Sequence, residues 1–163
     1  MVPQDIQTLA RQVIEAAAAR GLKVATAESC TGGLVAGALT AVPGSSAVLD
    51  RGFVTYSNAA KSEMLDVPAA LIESHGAVSE AVARAMAGGA VSRSAATVSV
   101  AVTGIAGPGG GSDEKPVGLV HLAASGPAGV IHAEHRFGDL GREAVRLESV
   151  RAALGLLLDR IGA

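Results

Sequence analysis

Aromatic residues are nearly absent from this chain. Of 163 residues none is tryptophan, one is tyrosine and two are phenylalanine. That excludes an exposed aromatic platform for stacking bases. The single cysteine, Cys30, rules out an internal disulfide and a cysteine-rich zinc site. Charge is sparse and balanced, with 17% charged residues and a formal net charge of −2. A broad basic face for duplex nucleic acid is therefore missing, and no nucleic-acid partner is expected. Charged or glycine-rich segments interrupt every apolar run before it can span a bilayer, so no membrane association is expected either. Met1–Ile6 carries no signal-peptide pattern, and a reducing cytoplasm is the expected compartment.

Small apolar side chains are plentiful. Hydrophobic residues make up 49% and mean hydropathy is +0.41, carried by Ala, Val and Leu along the whole chain. Such a sequence buries a sizeable core and is not globally disordered. Its length fits one domain over residues 1–163.

Apolar spacing predicts a first helix over Pro3–Arg20, with Ile6, Leu9, Val13, Ile14 and Ala17 on one face and Gly21 ending it. Leu22–Ala27 reads as a buried strand and Gly33–Val42 as a helix stopped by Pro43-Gly44. Val48–Tyr56 is a strand by its β-branched and aromatic content, followed by short helices at Asn58–Leu65 and Pro68–Ser74. Ser79 is the expected N-cap of a stronger helix, Ser79–Ser92. Thr97–Val102 reads as a central strand. Val117–Ala124 and Val130–Phe137 read as a hairpin around Ser125–Gly129. Arg142–Ile161 closes the chain as a long amphipathic helix. The order predicts an α/β fold, a three-layer α/β/α sandwich with a mixed parallel/antiparallel sheet.

Four stretches offer chemistry. Thr26-Ala27-Glu28-Ser29-Cys30-Thr31-Gly32-Gly33 lies where a buried strand gives way to a helix, and ligands bind at strand tips in open α/β sheets. Backbone N–H groups at the helix start can hold an anion, Gly32 and Gly33 permit close approach, and Ser29 can act as a nucleophile. The plainer reading is that Ser29 or Thr31 caps the helix. Cys30 is a rival nucleophile or else a small buried apolar residue. The second stretch, Arg51–Lys61, holds the only tyrosine, Tyr56, and one of three lysines, Lys61. A buried lysine can lose its proton and act as a base, which arginine cannot. A solvated Lys61 and a packed Tyr56 are the alternative.

The third stretch, Thr103-Gly104-Ile105-Ala106-Gly107-Pro108-Gly109-Gly110-Gly111-Ser112, follows the central strand. It is either a phosphate cradle of backbone N–H groups or a flexible loop. It is neither a Walker A motif nor a dinucleotide fingerprint. Asp113 and Glu114 read as a solvated loop with Lys115 as counter-charge, not as metal ligands. Fourth, Arg142 and Arg146, one helical turn apart, can clamp an anion or simply decorate a surface. The histidines His75, His121, His132 and His135 form no constellation in the sequence. His132 and His135, three apart on a strand, point to opposite faces.

Taken together, TAESCTGG (Thr26–Gly33), GSS (Gly44–Ser46), RGFVTYSNAAK (Arg51–Lys61), HGAVSE (His75–Glu80), TGIAGPGGGSDEKPVG (Thr103–Gly118) and GR…R (Arg142, Arg146) resemble the C-terminal domain of the competence/damage-inducible CinA family. The matches run in family order over nearly the whole chain. Leu140-Gly141 before Arg142 is a small local departure from the pattern.

The resemblance implies a nicotinamide-nucleotide amidohydrolase that converts nicotinamide mononucleotide to nicotinate mononucleotide and ammonia. The family's nucleophilic serine falls on Ser29, its lysine on Lys61, its tyrosine on Tyr56, and a hydroxyl before the glycine loop on Thr103. No metal or organic cofactor is implied, and a homodimer is. Expected substrate contacts are Thr31, Gly32, Gly33, Gly104, Gly107, Gly109, Gly110 and Arg142. Full-length relatives carry a further N-terminal nucleotide-pyrophosphatase-type domain, so that second activity is expected to be absent here. Three other readings are a non-catalytic nucleotide-phosphate sensor, an amidase on a different amide, and an interaction domain.

Overall fold

The structure, a computed structural model, describes residues 2–162. Five strands form one sheet in the order β2-β1-β3-β4-β5. The chain runs α1 (Gln4–Ala19), β1 (Val24–Glu28), α2 (Leu34–Thr40), a 3-10 turn (Ser45–Ala47), β2 (Leu49–Val54), α3 (Asn58–Leu65), α4 (Ala69–His75) and α5 (Glu80–Ser92). It continues through β3 (Val98–Gly104), β4 (Leu119–Gly126), β5 (Gly129–Arg136) and α6 (Arg142–Gly162). β1 pairs parallel with β2 and β3, while β3–β4 and β4–β5 are antiparallel. This is the mixed sheet between two helical layers that the element order predicts.

The two faces of the sheet carry side chains of different size. Val98, Val100, Val102, Val120 and Leu122 point to the layer of α1, α2 and α6. Ala25, Ala27, Ala101 and Ala123 point to α5, which answers with Ala83, Ala87 and Ala90. Small residues on both sides let α5 lie close, and the buried Ser99 hydroxyl donates to the Ala87 carbonyl at 2.6 Å. The high alanine content is thus a packing device, because interiors tolerate few voids.

Some boundaries differ from the sequence reading. β1 begins at Val24 and runs through Glu28, so Ser29 is the first residue beyond the strand. The hairpin is tighter than the five-residue turn read from Ser125–Gly129. Strand pairing persists to Gly126↔Gly129, leaving Pro127-Ala128 as a two-residue loop. Parallel β1 and β3 end on the same side of the sheet, and their tips carry Ser29 and Gly104.

Candidate active site

The Ser29 N–H donates to the Val102 carbonyl of β3 at 3.0 Å, and the Glu28 carbonyl accepts from Thr55 N–H at 2.8 Å. These bonds tie the β1 tip to both neighbouring strands. The buried Glu28 carboxylate then organises the turn. It accepts from the Thr31 hydroxyl at 2.8 Å and from the Val35 and Ala36 N–H groups at 2.8 and 3.0 Å. A carboxylate at a helix start satisfies orphan donors and suits the helix dipole. Neither Ser29 nor Thr31 caps α2, whose N-cap is Gly33. The helix start proposed as an anion site is already filled, by Glu28. Gly32 and Leu34 N–H groups are taken by the Ser29 and Thr31 carbonyls, while Thr31 N–H meets no backbone acceptor among the described residues.

Lys61 reaches the same point from α3. Ser57 caps that helix by accepting from Ala60 N–H. The Lys61 side chain, 1% exposed, runs back toward the end of β2. Its Nζ lies 3.0 Å from Ser29 Oγ, 2.9 Å from the Thr55 carbonyl and 3.3 Å from the Tyr56 carbonyl. No carboxylate pairs with it among the described residues. Burial lowers its pKa from the ordinary lysine value, with the neighbouring Cys30 a smaller opposing influence. Cys30 is also buried, and desolvation pushes its thiol up to about 11, the reverse of what a thiolate nucleophile needs.

Ser29, Cys30, Tyr56, Asn58, Lys61, Ala77, Arg142 and the Gly104–Gly110 loop line a cavity of about 260 Å³. Arg142 closes one wall, donating to the Gly107 carbonyl at 2.8 Å and to the Tyr56 hydroxyl at 3.0 Å. Tyr56 is therefore neither packed nor bonded to Ser29. It is exposed at the mouth, and its backbone carbonyl touches Lys61. Gly104 is required by close approach, since a Cβ there would sit 2.7 Å from Val120 and 3.2 Å from Cys30 Sγ. A shallower groove of about 380 Å³ between α3 and α4 adjoins the cavity at Asn58.

Other predicted residues lie apart from this cavity. Thr103 is buried with its hydroxyl donating to the Ala77 carbonyl at 2.9 Å, so it holds a cavity wall. Thr31, Gly32 and Gly33 are not among the lining residues. The two arginines part company: Arg142 faces the cavity, whereas Arg146 donates to the Cys30 and Thr31 carbonyls behind the turn. Asn58 was not singled out from the sequence, although it lies inside the Arg51–Lys61 motif. A histidine pair was also missed. His121 Nδ1 and His132 Nε2 are 2.9 Å apart, because the hairpin register places them diagonally on the α5 face. Glu134 and Glu80 face the outer nitrogens at 3.6 and 3.7 Å. The four groups radiate outward and do not converge on a metal.

The family model described as the CinA C-terminal domain matches residues 6–161. The chain belongs to the CinA C-terminal domain family. This CinA domain is 56% identical over 155 residues to a CinA-like protein of Parasynechococcus marenigrum (strain WH8102), covering 94% of this chain and 37% of that one. It is also 56% identical over 146 residues to a CinA-like protein of Anaeromyxobacter sp. (strain K), covering 89% and 35%. The CinA domain thus spans little more than a third of those relatives' length.

Among solved structures, the competence/damage inducible protein CihA from Agrobacterium tumefaciens superposes with TM-score 0.97 at 57% identity, covering 100% of this chain and 99% of that one. A CinA superfamily protein from Klebsiella pneumoniae 700603 gives TM-score 0.92 at 38% identity, covering 98% and 99%. No described helix is long and apolar enough to cross a membrane.

Proposed function

We propose that this CinA domain hydrolyses the carboxamide of nicotinamide mononucleotide, with Ser29 as nucleophile and Lys61 as base. The observation that carries the reading is the buried amine 3.0 Å from Ser29 Oγ, with two carbonyl acceptors and no carboxylate partner among the described residues. A neutral amine has two N–H bonds and one lone pair. If the N–H bonds go to the Thr55 and Tyr56 carbonyls, the lone pair is left for the Ser29 hydroxyl proton.

An amide is a poor electrophile, so it needs both an activated hydroxyl and an oxyanion hole. Ser29 Oγ attacks the carboxamide carbon and its proton passes to Lys61. The oxyanion is met beside Cys30, where the Thr31 N–H has no backbone acceptor among the described residues, whereas the Gly32 N–H is already taken. The C–N bond breaks as Lys61 returns the proton to nitrogen, and ammonia leaves. Water then attacks the acyl-Ser29 ester, with Lys61 again as base, releasing nicotinate mononucleotide. Tyr56 and Arg142 order the cavity mouth, and Arg142 with the Gly104–Gly110 loop takes the 5′-phosphate. In this scheme Thr103 supports the wall through Ala77 and takes no proton.

The test is ammonia release from nicotinamide mononucleotide by the wild-type chain and by Ser29→Ala and Lys61→Arg. Activity in the first and its loss in both variants supports the reading. A wild-type chain that binds the nucleotide without turnover favours a sensor, and turnover of other amides alone moves the substrate class.

A further inference from the structure

Arg146 lies outside the cavity, makes no ion pair among the described residues, and spends its guanidinium on two backbone carbonyls. Its Nε donates to the Cys30 carbonyl at 3.0 Å and its Nη2 to the Thr31 carbonyl at 3.3 Å. A Cβ on Gly32 would sit 3.3 Å from Nη2, so the glycine leaves room for the guanidinium. In a trans peptide the C=O and the following N–H point in opposite directions. A carbonyl turned toward α6 therefore turns the next N–H away from it.

The Thr31–Gly32 peptide is held at both ends, its oxygen by Arg146 and its Gly32 N–H by the Ser29 carbonyl. The Cys30–Thr31 peptide is held at the oxygen end alone. Its N–H belongs to Thr31, two residues beyond the nucleophile, and donates to no backbone acceptor among the described residues.

We propose that Arg146 is a positioning residue that presets the oxyanion hole, by fixing the Cys30–Thr31 peptide so that the Thr31 N–H faces the charge developing beside Ser29. The inference rests on the acyl-transfer reading of Ser29. The cationic donor also polarises the peptide it holds, which strengthens the N–H at the other end. A donor fixed before reaction is worth more in the transition state than in the substrate complex, so its loss falls on kcat and not on KM.

The experiment compares Arg146→Ala, Arg146→Gln and Arg146→Lys with wild type, each checked for native circular dichroism. Two rates are read: steady-state hydrolysis of nicotinamide mononucleotide, and covalent labelling of Ser29 by a fluorophosphonate. For Arg146→Ala, kcat is expected to fall about 100-fold or more with KM within a few-fold. Labelling should slow in parallel, and added guanidinium ion at sub-denaturing concentration should restore part of both rates. Arg146→Lys, with a single-point cation, should lie in between. Wild-type labelling and kcat in a folded Arg146→Ala, a loss carried by KM, or a loss that guanidinium does not relieve would each overturn the role. If the wild-type chain labels at Ser29 but releases no ammonia from this nucleotide, the substrate assignment fails and the labelling arm still decides the part played by Arg146.

Discussion

Lys61 Nζ and Ser29 Oγ meet at 3.0 Å although 32 positions separate them in the chain. Burial lowers the lysine pKa from its ordinary value of 10.5, and that brings the base role toward moderate pH. kcat/KM should therefore rise with pH on a limb whose midpoint lies below 10.5. Lys61→Arg, always protonated, should lose about 10²- to 10⁴-fold in rate. A pH–rate profile of wild type and variant checks both.

The same shift has a consequence for stability. Between the lowered folded value and 10.5, the unfolded chain holds a proton on Lys61 that the folded chain does not. The Lys61 contribution to stability should therefore climb as pH rises through that window and fall as pH drops, against the opposite slope from the raised Cys30 thiol. Lys61→Met removes that titration, so the stability difference between wild type and variant should carry the rising slope, while turnover is abolished. Urea melts across the alkaline range read the difference.

Cys30 stands beside Ser29 with its thiol pushed up to about 11. Native protein at pH 8 should resist alkylation at Cys30, and Cys30→Ala should keep activity within a few-fold of wild type. Rapid labelling by iodoacetamide, or a dead Cys30→Ala beside an active Ser29→Ala, would transfer the nucleophile to sulfur.

Among the described residues Arg142 is held by the Gly107 carbonyl and the Tyr56 hydroxyl and by no carboxylate, so its charge can meet an anionic group. Arg142→Ala should raise KM for the phosphorylated substrate by about 10- to 100-fold, the worth of a charge-assisted bond. It should barely change KM for the dephosphorylated nucleoside. Equal effects on both substrates would remove the phosphate from this place.

Two adjacent glycines in α5 should respond in opposite ways. A Cβ on Gly88 meets nothing within 4 Å, so Gly88→Ala should stabilise by about 0.5–1 kcal/mol through helix propensity. A Cβ on Gly89 would lie 2.0 Å from the Leu65 carbonyl oxygen. Gly89→Ala must push α3 away from α5 and should destabilise by about 1–3 kcal/mol. Thermal melts of the two variants separate propensity from packing.

Much of the architecture is legible in the chain itself. Short apolar and β-branched runs, helical periodicity and the Gly and Pro stops locate eleven of the helices and strands to within a few residues, because these signals depend on near neighbours. The polar and glycine-rich stretches at Ser29, Tyr56 and Gly104 stand out against an alanine- and valine-rich background. Their positions at strand ends follow from the same local reading.

Convergence is a different matter. The Ser29–Lys61 contact requires parallel β1 and β2 to end together and α3 to turn its lysine back over the sheet. The His121–His132 pair requires a two-residue hairpin, since one residue of slip sends the side chains to opposite faces. Arg142 and Arg146 are equivalent in the sequence, and only the docking of α6 sends one to the cavity and the other beneath the Cys30–Thr31 peptide. Periodicity determines which face of an element is buried. What that face meets depends on register and packing between distant segments, which only the folded chain decides.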